Sequence, residues 1–399
     1  MFKLMSEDEG IVPVGKRAGE FNRIAGLLRA IGFGLILPHI FYVNDLSHPL
    51  QTGLLFCLFP TGMLIGRSIF RGSTRATLMQ AVLTTLTYFL IVASAISLPV
   101  GIGSLRLAQL AIFLLGLFAA NTEGQSRFDV SILGLSVGAL LSGVLSWSHV
   151  RSTERYDLSE LMMPALAAAI VSAIVSAGAL ALLFSRRAVS IESETFTYRK
   201  SIRGKLAGVD RQVLCAIGIS AFTALAAAIV CTLTPMMLWE SFAFGPSATS
   251  LVFAKAGFVV CCMSLIAGRV LRISGSAFRT NVIGGLGLAF LGIGAAALMW
   301  APSTQSGLLV FSGVAAFSIG WGVWQPARFT ITRALLAGRP GEAILKLNDL
   351  AVLVAWIVGP ILSASVFYAH ERTSFGLAGL AIIMVAMFFG STLRRIKQA

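Results

Sequence analysis

Residues 38–56, PHIFYVNDLSHPLQTGLLF, and residues 235–253, PMMLWESFAFGPSATSLVF, decide the reading of the fold. Set in register at an offset of 197 residues, Pro38, Pro49, Thr52, Leu54 and Phe56 meet Pro235, Pro246, Thr249, Leu251 and Phe253. Each stretch is a short polar hinge between two long apolar runs. Downstream of each lies a second match, GRSIFRG from Gly66 and GRVLRIS from Gly268, which needs a small length difference. A third follows: Gly134-x-x-x-Gly138-Ala139-x-x-Ser142-Gly143 resembles Ala355-x-x-x-Gly359-Pro360-x-x-Ser363-Ala364. Small residues four apart are common where helices approach closely in lipid. The weight lies in the order of the three matches, which recurs in each half and marks an internal duplication.

The surroundings of these stretches exclude a soluble protein. Of 399 residues 56% are hydrophobic, only 12% are charged, and the mean hydropathy is +0.85. A soluble domain carries about 25% charged residues. A disordered chain needs high charge and few large apolar groups, so disorder is excluded as well. The forty Gly and twelve Pro suit helices in lipid, which tolerate both. Cys57, Cys215, Cys231, Cys261 and Cys262 lie in apolar runs without C-x-x-C spacing and read as small core residues. The N-terminal MFKLMSEDEGIVPVGKRAGEFNR lacks the apolar core of a signal peptide, so a cytoplasmic N-terminus is expected.

A spanning helix needs about 20 mostly apolar residues. Twelve segments qualify: 24–43, 52–70, 77–99, 104–122, 130–148, 161–184, 212–238, 248–268, 281–300, 307–327, 348–368 and 374–392. Runs such as PALAAAIVSAIVSAGALALLF are apolar on every side, which fits helices and not the alternating strands of a barrel. With the N-terminus inside, all but six of the 31 Lys and Arg fall in cytoplasmic connections. Only Arg106, Arg151, Arg155 and Arg372 fall outside, and Arg29 and Lys255 sit within spans. The bias places both termini in the cytoplasm and explains the net charge of +14 as topology, with no nucleic-acid partner. The chain then divides into a cytoplasmic segment 1–22, a six-helix half 23–184, a cytoplasmic linker 185–211, a second half 212–393 and a tail 394–399. Parallel six-span repeats form transporters with the substrate site near mid-membrane between the halves.

From about Arg23 to Arg395 the chain resembles the major facilitator superfamily. The loop after span 2 is similar to the family signature G-x-L-A-D-R-x-G-R-R/K: Gly66, Arg71 and Arg75 fit, while Phe70 and Ser73 replace the Asp and the second Gly. Spans 5 and 11 resemble the antiporter signature G-x-x-x-G-P-x-x-G-G through Gly134, Gly138, Gly143, Gly359 and Pro360, with Ala139 where span 5 would have Pro. Span 10 has the common pattern Gly320-x-Gly322-x-x-x-Pro326, and Arg106-x-x-Gln109 resembles the start of a span-4 signature, with Leu110 in its Gly place. The resemblance implies an all-α membrane protein of twelve helices in two pseudo-symmetric six-helix bundles, from the drug and metabolite exporter branch. It implies a monomer of the inner (plasma) membrane with a small-molecule substrate, the lipid bilayer and protons as partners, and no cofactor.

The resemblance also assigns places. The span 2–3 loop meets the start of span 11, so Arg67, Arg71 and Arg75 would face Asp349. The span 8–9 loop meets the start of span 5, so Arg269 and Arg272 would face Asp129. Spans 1, 4, 7 and 10 border the central cavity. A charge within a span faces a cavity or a partner unless it snorkels to the interface. Arg29 and Lys255 are therefore candidates to bind an anionic group, with Phe33 and Leu37 on the face of Arg29. Spacing puts Trp321, Trp324, Gln325 and Arg328 on one helical face, a candidate ligand wall. Asp45, Glu123 and Glu240, all near span ends, are the candidates for proton coupling. His39, His48, His149 and His370 are scattered, and no H-E-x-x-H, Asp-rich or nucleotide-phosphate loop is present, so no enzyme is expected. The leading expectation is proton-coupled export of a small organic compound. An organic-anion or siderophore transporter using Arg29 and Lys255, a lipid flippase, and a non-transporting sensor or assembly factor on the same fold stand beside it.

Overall fold

A computed structural model describes residues 24–25, 27–37, 49–69, 74–97, 102–119, 128–147, 159–186, 210–274, 277–336, 341–367 and 371–396. Asp45, Glu123, Arg71, the segment 1–22 and linker residues 187–209 lie outside them, while the first two linker residues end the sixth helix. Arg67, Arg75 and Asp129 lie in helices, with side chains outside the described ones. The described residues form twelve helices: α1 (Leu27–Leu37), α2 (Pro49–Ile69), α3 (Thr74–Ser97), α4 (Ile102–Ala119), α5 (Phe128–Trp147), α6 (Ser159–Arg186), α7 (Arg211–Phe242), α8 (Pro246–Ser274), α9 (Ala277–Thr304), α10 (Gly307–Leu336), α11 (Gly341–Phe367) and α12 (Glu371–Ile396).

Each of α7–α12 is long and apolar enough to cross a bilayer. Large apolar side chains lie open on the outside, among them Leu308, Ile273 and Phe278, at 79%, 78% and 74% exposure. Water would not tolerate such a surface, whereas lipid does. The chain is a multi-pass membrane protein.

The helices overrun the apolar windows that announce them. α10 continues nine residues past its expected end, and α11 starts seven before its expected beginning. Backbone hydrogen bonding persists wherever helix-forming residues continue, whatever their polarity, so hydropathy reports the membrane-embedded part only. Likewise α12 runs to Ile396, so the expected tail begins within a helix. Asp210 caps α7, its side chain accepting from the Gln212 backbone N–H at 3.4 Å. At the other end Ala243 takes φ 53°, and Phe244 N–H bonds Leu238 C=O at 2.9 Å. This left-handed cap stops α7 and lets Pro246 open α8 three residues later.

Helix pairing repeats with a shift of six. α2 packs on α4 and α8 on α10; α3 packs on α6 and α9 on α12; α3 meets α4 and α9 meets α10. Between the halves the principal pairs are α2 with α11 and α5 with α8, which exchange under the same shift. The two large apolar cores respect the division. One holds Leu35, Leu55, Ile112 and Ala165 from the first half; the other holds Leu233, Leu298, Phe317 and Phe375 from the second.

Candidate functional site

The contacts between the halves are made by small residues. A Cβ placed on Gly53 of α2 would lie 2.5 Å from Ala364 Cβ and 2.6 Å from Pro360 C=O of α11. One placed on Gly143 of α5 would lie 3.3 Å from Ser250 Cβ and 3.5 Å from Ser247 C=O of α8. By the repeat alignment Gly53 corresponds to Ser250 and Gly143 to Ala364. The same contact is therefore built twice, once in each direction across the boundary. Within the halves the signature glycines bring α5 to α1 and α11 to α7. Gly134 packs on Leu27 C=O and Ala30, Gly138 on Ile31 C=O and Gly34, and Gly359 on Ala228 and Leu225. Pro360 faces α2, since its carbonyl lies over Gly53.

Arg29 is held inside the first half. Gly134 and Gly138 occupy the Leu27–Ala30–Ile31–Gly34 face of α1, so Arg29 leaves from the opposite side. There Gly32 carries the Tyr88 hydroxyl of α3, 3.2 Å from where a Cβ would stand, and Phe33 stacks on Phe59 of α2 with centroids 4.3 Å apart. Tyr88 is buried, and Gly32 places its hydroxyl one helical turn from Arg29. The Arg29 Nε and Nη2 atoms are buried and meet no hydrogen-bond acceptor.

The residues of the expected ligand wall on α10 lie in different surroundings. Trp324 is fully buried: its indole N–H donates to Thr223 Oγ1 of α7 at 3.1 Å, its ring meets Phe389 of α12 edge-on at 5.6 Å, and it fills the space left by Gly284 and Gly287 of α9. Its indole is spent on packing, with no face left for a ligand. Gln325 is buried as well, and its Oε1 accepts from Arg328 Nε at 3.0 Å. Trp321 is partly buried and stacks on Phe317. Arg328 lies 4.7 Å over the Phe329 ring and interacts electrostatically with Asp349 near the start of α11. Buried Thr332 Oγ1 and Asn348 Oδ1 sit along the same two helix ends. Among described residues Asp349 thus has a charge partner in its own half, one that the expected pairing with Arg67, Arg71 and Arg75 overlooked.

Lys255 stands apart from Arg29. It is exposed on the face of α8 that continues at three- and four-residue steps through Phe258, Cys262 and Leu265 to Arg269. Phe258 and Leu265 are 60% and 58% exposed, so this stripe is apolar between its two cations. Fourteen residues of helix separate Lys255 from Arg269, roughly 21 Å, and their side chains add the reach to both edges of a hydrocarbon layer about 30 Å thick. That is the pattern of interfacial anchors. Glu240 is exposed at the end of α7, and Arg272 is exposed near the end of α8. Tyr88, Thr223 and Asn348 escaped the sequence reading. A hydroxyl or amide in an apolar run was the available signal, but such residues are too common in spans to single these out.

No protein-family model and no curated protein sequence matches the chain. Solved structures do. A bacterial homologue of the human lysosomal transporter Spinster, inward-facing and occupied, superposes with a TM-score of 0.64 at 15% identity, covering 96% of this chain and 98% of that one. Its inward-facing unoccupied form gives 0.62 at 14%, covering 95% and 97%. A structure of the nucleoside transporter NupG gives 0.63 at 12%, covering 93% and 98%. The chain has the fold of these transporters. The likeness runs over nearly the whole of each chain.

Proposed function

We propose that the protein is a secondary active transporter of the major facilitator superfamily, in which two six-helix halves, residues 23–184 and 212–393, rock about a shared site. The observation that carries this reading is the contact built twice, Gly53 with Ala364 and Ser250 with Gly143, in a chain that has the fold of transporters. A boundary of small residues with equivalent contacts on both flanks lets two rigid bodies pivot without unpacking either core. These contacts lie near the starts of α2 and α8 and the ends of α5 and α11. With the N-terminus in the cytoplasm that end is the outer one, and the conformation has its outer side closed.

The transport proposed is export of a small organic compound in exchange for protons, across the plasma membrane, with both termini cytoplasmic. Arg67, Arg71 and Arg75 with Asp349, and Arg269 and Arg272 with Asp129, are the proposed cytoplasmic latches. Asp45, Glu123 and Glu240 are the acids proposed for proton coupling. The test is flux into inverted vesicles for a panel of cationic, neutral and anionic compounds, with and without a pH gradient. A transported compound is expected to accumulate only while the gradient stands, and equal movement after its collapse rejects proton exchange. A second reading, transport of an organic anion, is favoured by the unpartnered guanidinium edge of Arg29.

A further inference from the structure

The same edge of Arg29 has a definite shape. Nε and Nη2 are neighbours on one side of the guanidinium, and their N–H bonds run parallel as the prongs of a fork. Both atoms are buried, and both lack an acceptor. Charged donors left unmade inside a protein are among the most costly features a fold can carry, so they persist where something else uses them. Among the described side chains of α1–α6 there is no carboxylate to take the fork. The neighbour that is present, the buried Tyr88 hydroxyl, is a further donor. It is seated over Gly32, one turn beyond Arg29, by the absence of a side chain there. Two parallel cationic N–H groups with a hydroxyl beside them match the oxygens of a carboxylate or a phosphate, and nothing about them matches a cation or an apolar ligand.

We propose that the Nε–Nη2 edge of Arg29, with the Tyr88 hydroxyl beside it, is an oxyanion subsite that takes the carboxylate or phosphate group of the transported molecule. The subsite lies between α1, α2 and α3 within the first half, and Lys255 is not part of it. That its ligand is cargo rests on the transport reading; that it binds an oxyanion does not. Both nitrogens of the edge are buried in this conformation.

The experiment uses the full-length protein in nanodiscs, with thermal unfolding and direct titration as readouts. The soluble probes are inorganic phosphate, benzoate and a dicarboxylate, with tetraphenylphosphonium as cationic control. The discs are made once from zwitterionic lipid and once with phosphatidylglycerol. At least one oxyanion is expected to raise the unfolding temperature in zwitterionic discs, and the cation to have no effect. Arg29→Lys keeps the charge and loses the fork, and is expected to weaken that oxyanion about 10- to 100-fold, the worth of one charge-assisted hydrogen bond. Tyr88→Phe is expected to weaken it by less and to leave the unliganded protein folded, which keeps the test alive should Arg29 variants fail to fold. The proposal is overturned if no oxyanion shifts the wild type in either lipid, or if both variants bind as the wild type does. Stabilisation by phosphatidylglycerol alone assigns the oxyanion to a lipid headgroup and overturns the cargo assignment. Flux in proteoliposomes separates the two readings. Retained flux without oxyanion binding overturns the subsite and leaves transport standing, whereas binding without flux of any compound does the reverse.

Discussion

At Trp324 a single side chain ties four helices of the second half together. The indole N–H reaches Thr223 Oγ1 while the ring is wedged between α9 and α12. Thr223 also donates to Ile219 C=O at 2.6 Å, so its hydroxyl is satisfied in both roles. Trp324→Phe removes the donor and part of the ring, and Thr223→Val removes the acceptor. Each is expected to lower the unfolding temperature in detergent, the hydrogen bond itself supplying about 0.5–1.5 kcal/mol. The double variant should fall short of the sum, and strict additivity would show that the bond contributes nothing. Spacing alone put this tryptophan on a face with Trp321 and Gln325. What spacing does not contain is which helices cover that face, because the covering residues, Thr223, Gly284, Gly287 and Phe389, come from three distant segments.

At the scale of the element, the glycines of α5 and α11 separate by what they touch. Gly138 lies against the backbone of α1, and Gly359 against Ala228 and Leu225 of α7. Gly138→Leu or Gly359→Leu must push apart helices already in backbone contact, and each is expected to cost about 1–3 kcal/mol or more, read as lost folded yield on size exclusion. A Cβ added at Gly285 or Gly292 of α9 would meet nothing within 4 Å. Ala at either position is therefore expected to be neutral or to raise the unfolding temperature, since Ala is the better helix former by up to about 1 kcal/mol. A loss of yield in Gly285→Ala equal to that in Gly138→Leu would contradict this division. The G-x-x-x-G spacing was legible in the sequence as a close-packing device. Its partner helix was not, since any apolar helix presents a compatible groove.

For the whole molecule the proposed rocking turns on the twice-built contact. Cysteines at Gly143 and Ser250, in a background with Cys57, Cys215, Cys231, Cys261 and Cys262 replaced, would put their Cβ atoms about 3.3 Å apart, just under the range of disulfides. The cross-linked Gly143→Cys, Ser250→Cys protein is expected to lose transport and to regain it on reduction. Full flux through a cross-linked boundary would exclude rocking of the halves about it.

Composition, hydropathy and the positions of Lys and Arg determined that the chain crosses a membrane in helices, because burying so many apolar groups with so few charges leaves lipid as the only solvent that fits. The repeat of Pro38–Phe56 in Pro235–Phe253 made two related sets of helices the expectation, and the helix pairing repeats with a shift of six. Only tertiary structure decided that Trp324 is core, that Lys255 is exposed, and that Nε and Nη2 of Arg29 are buried. The physical reason is one of range. Solvent preference and close-packing spacing act along a helix and are written locally, whereas what a side chain touches depends on neighbours tens or hundreds of residues away.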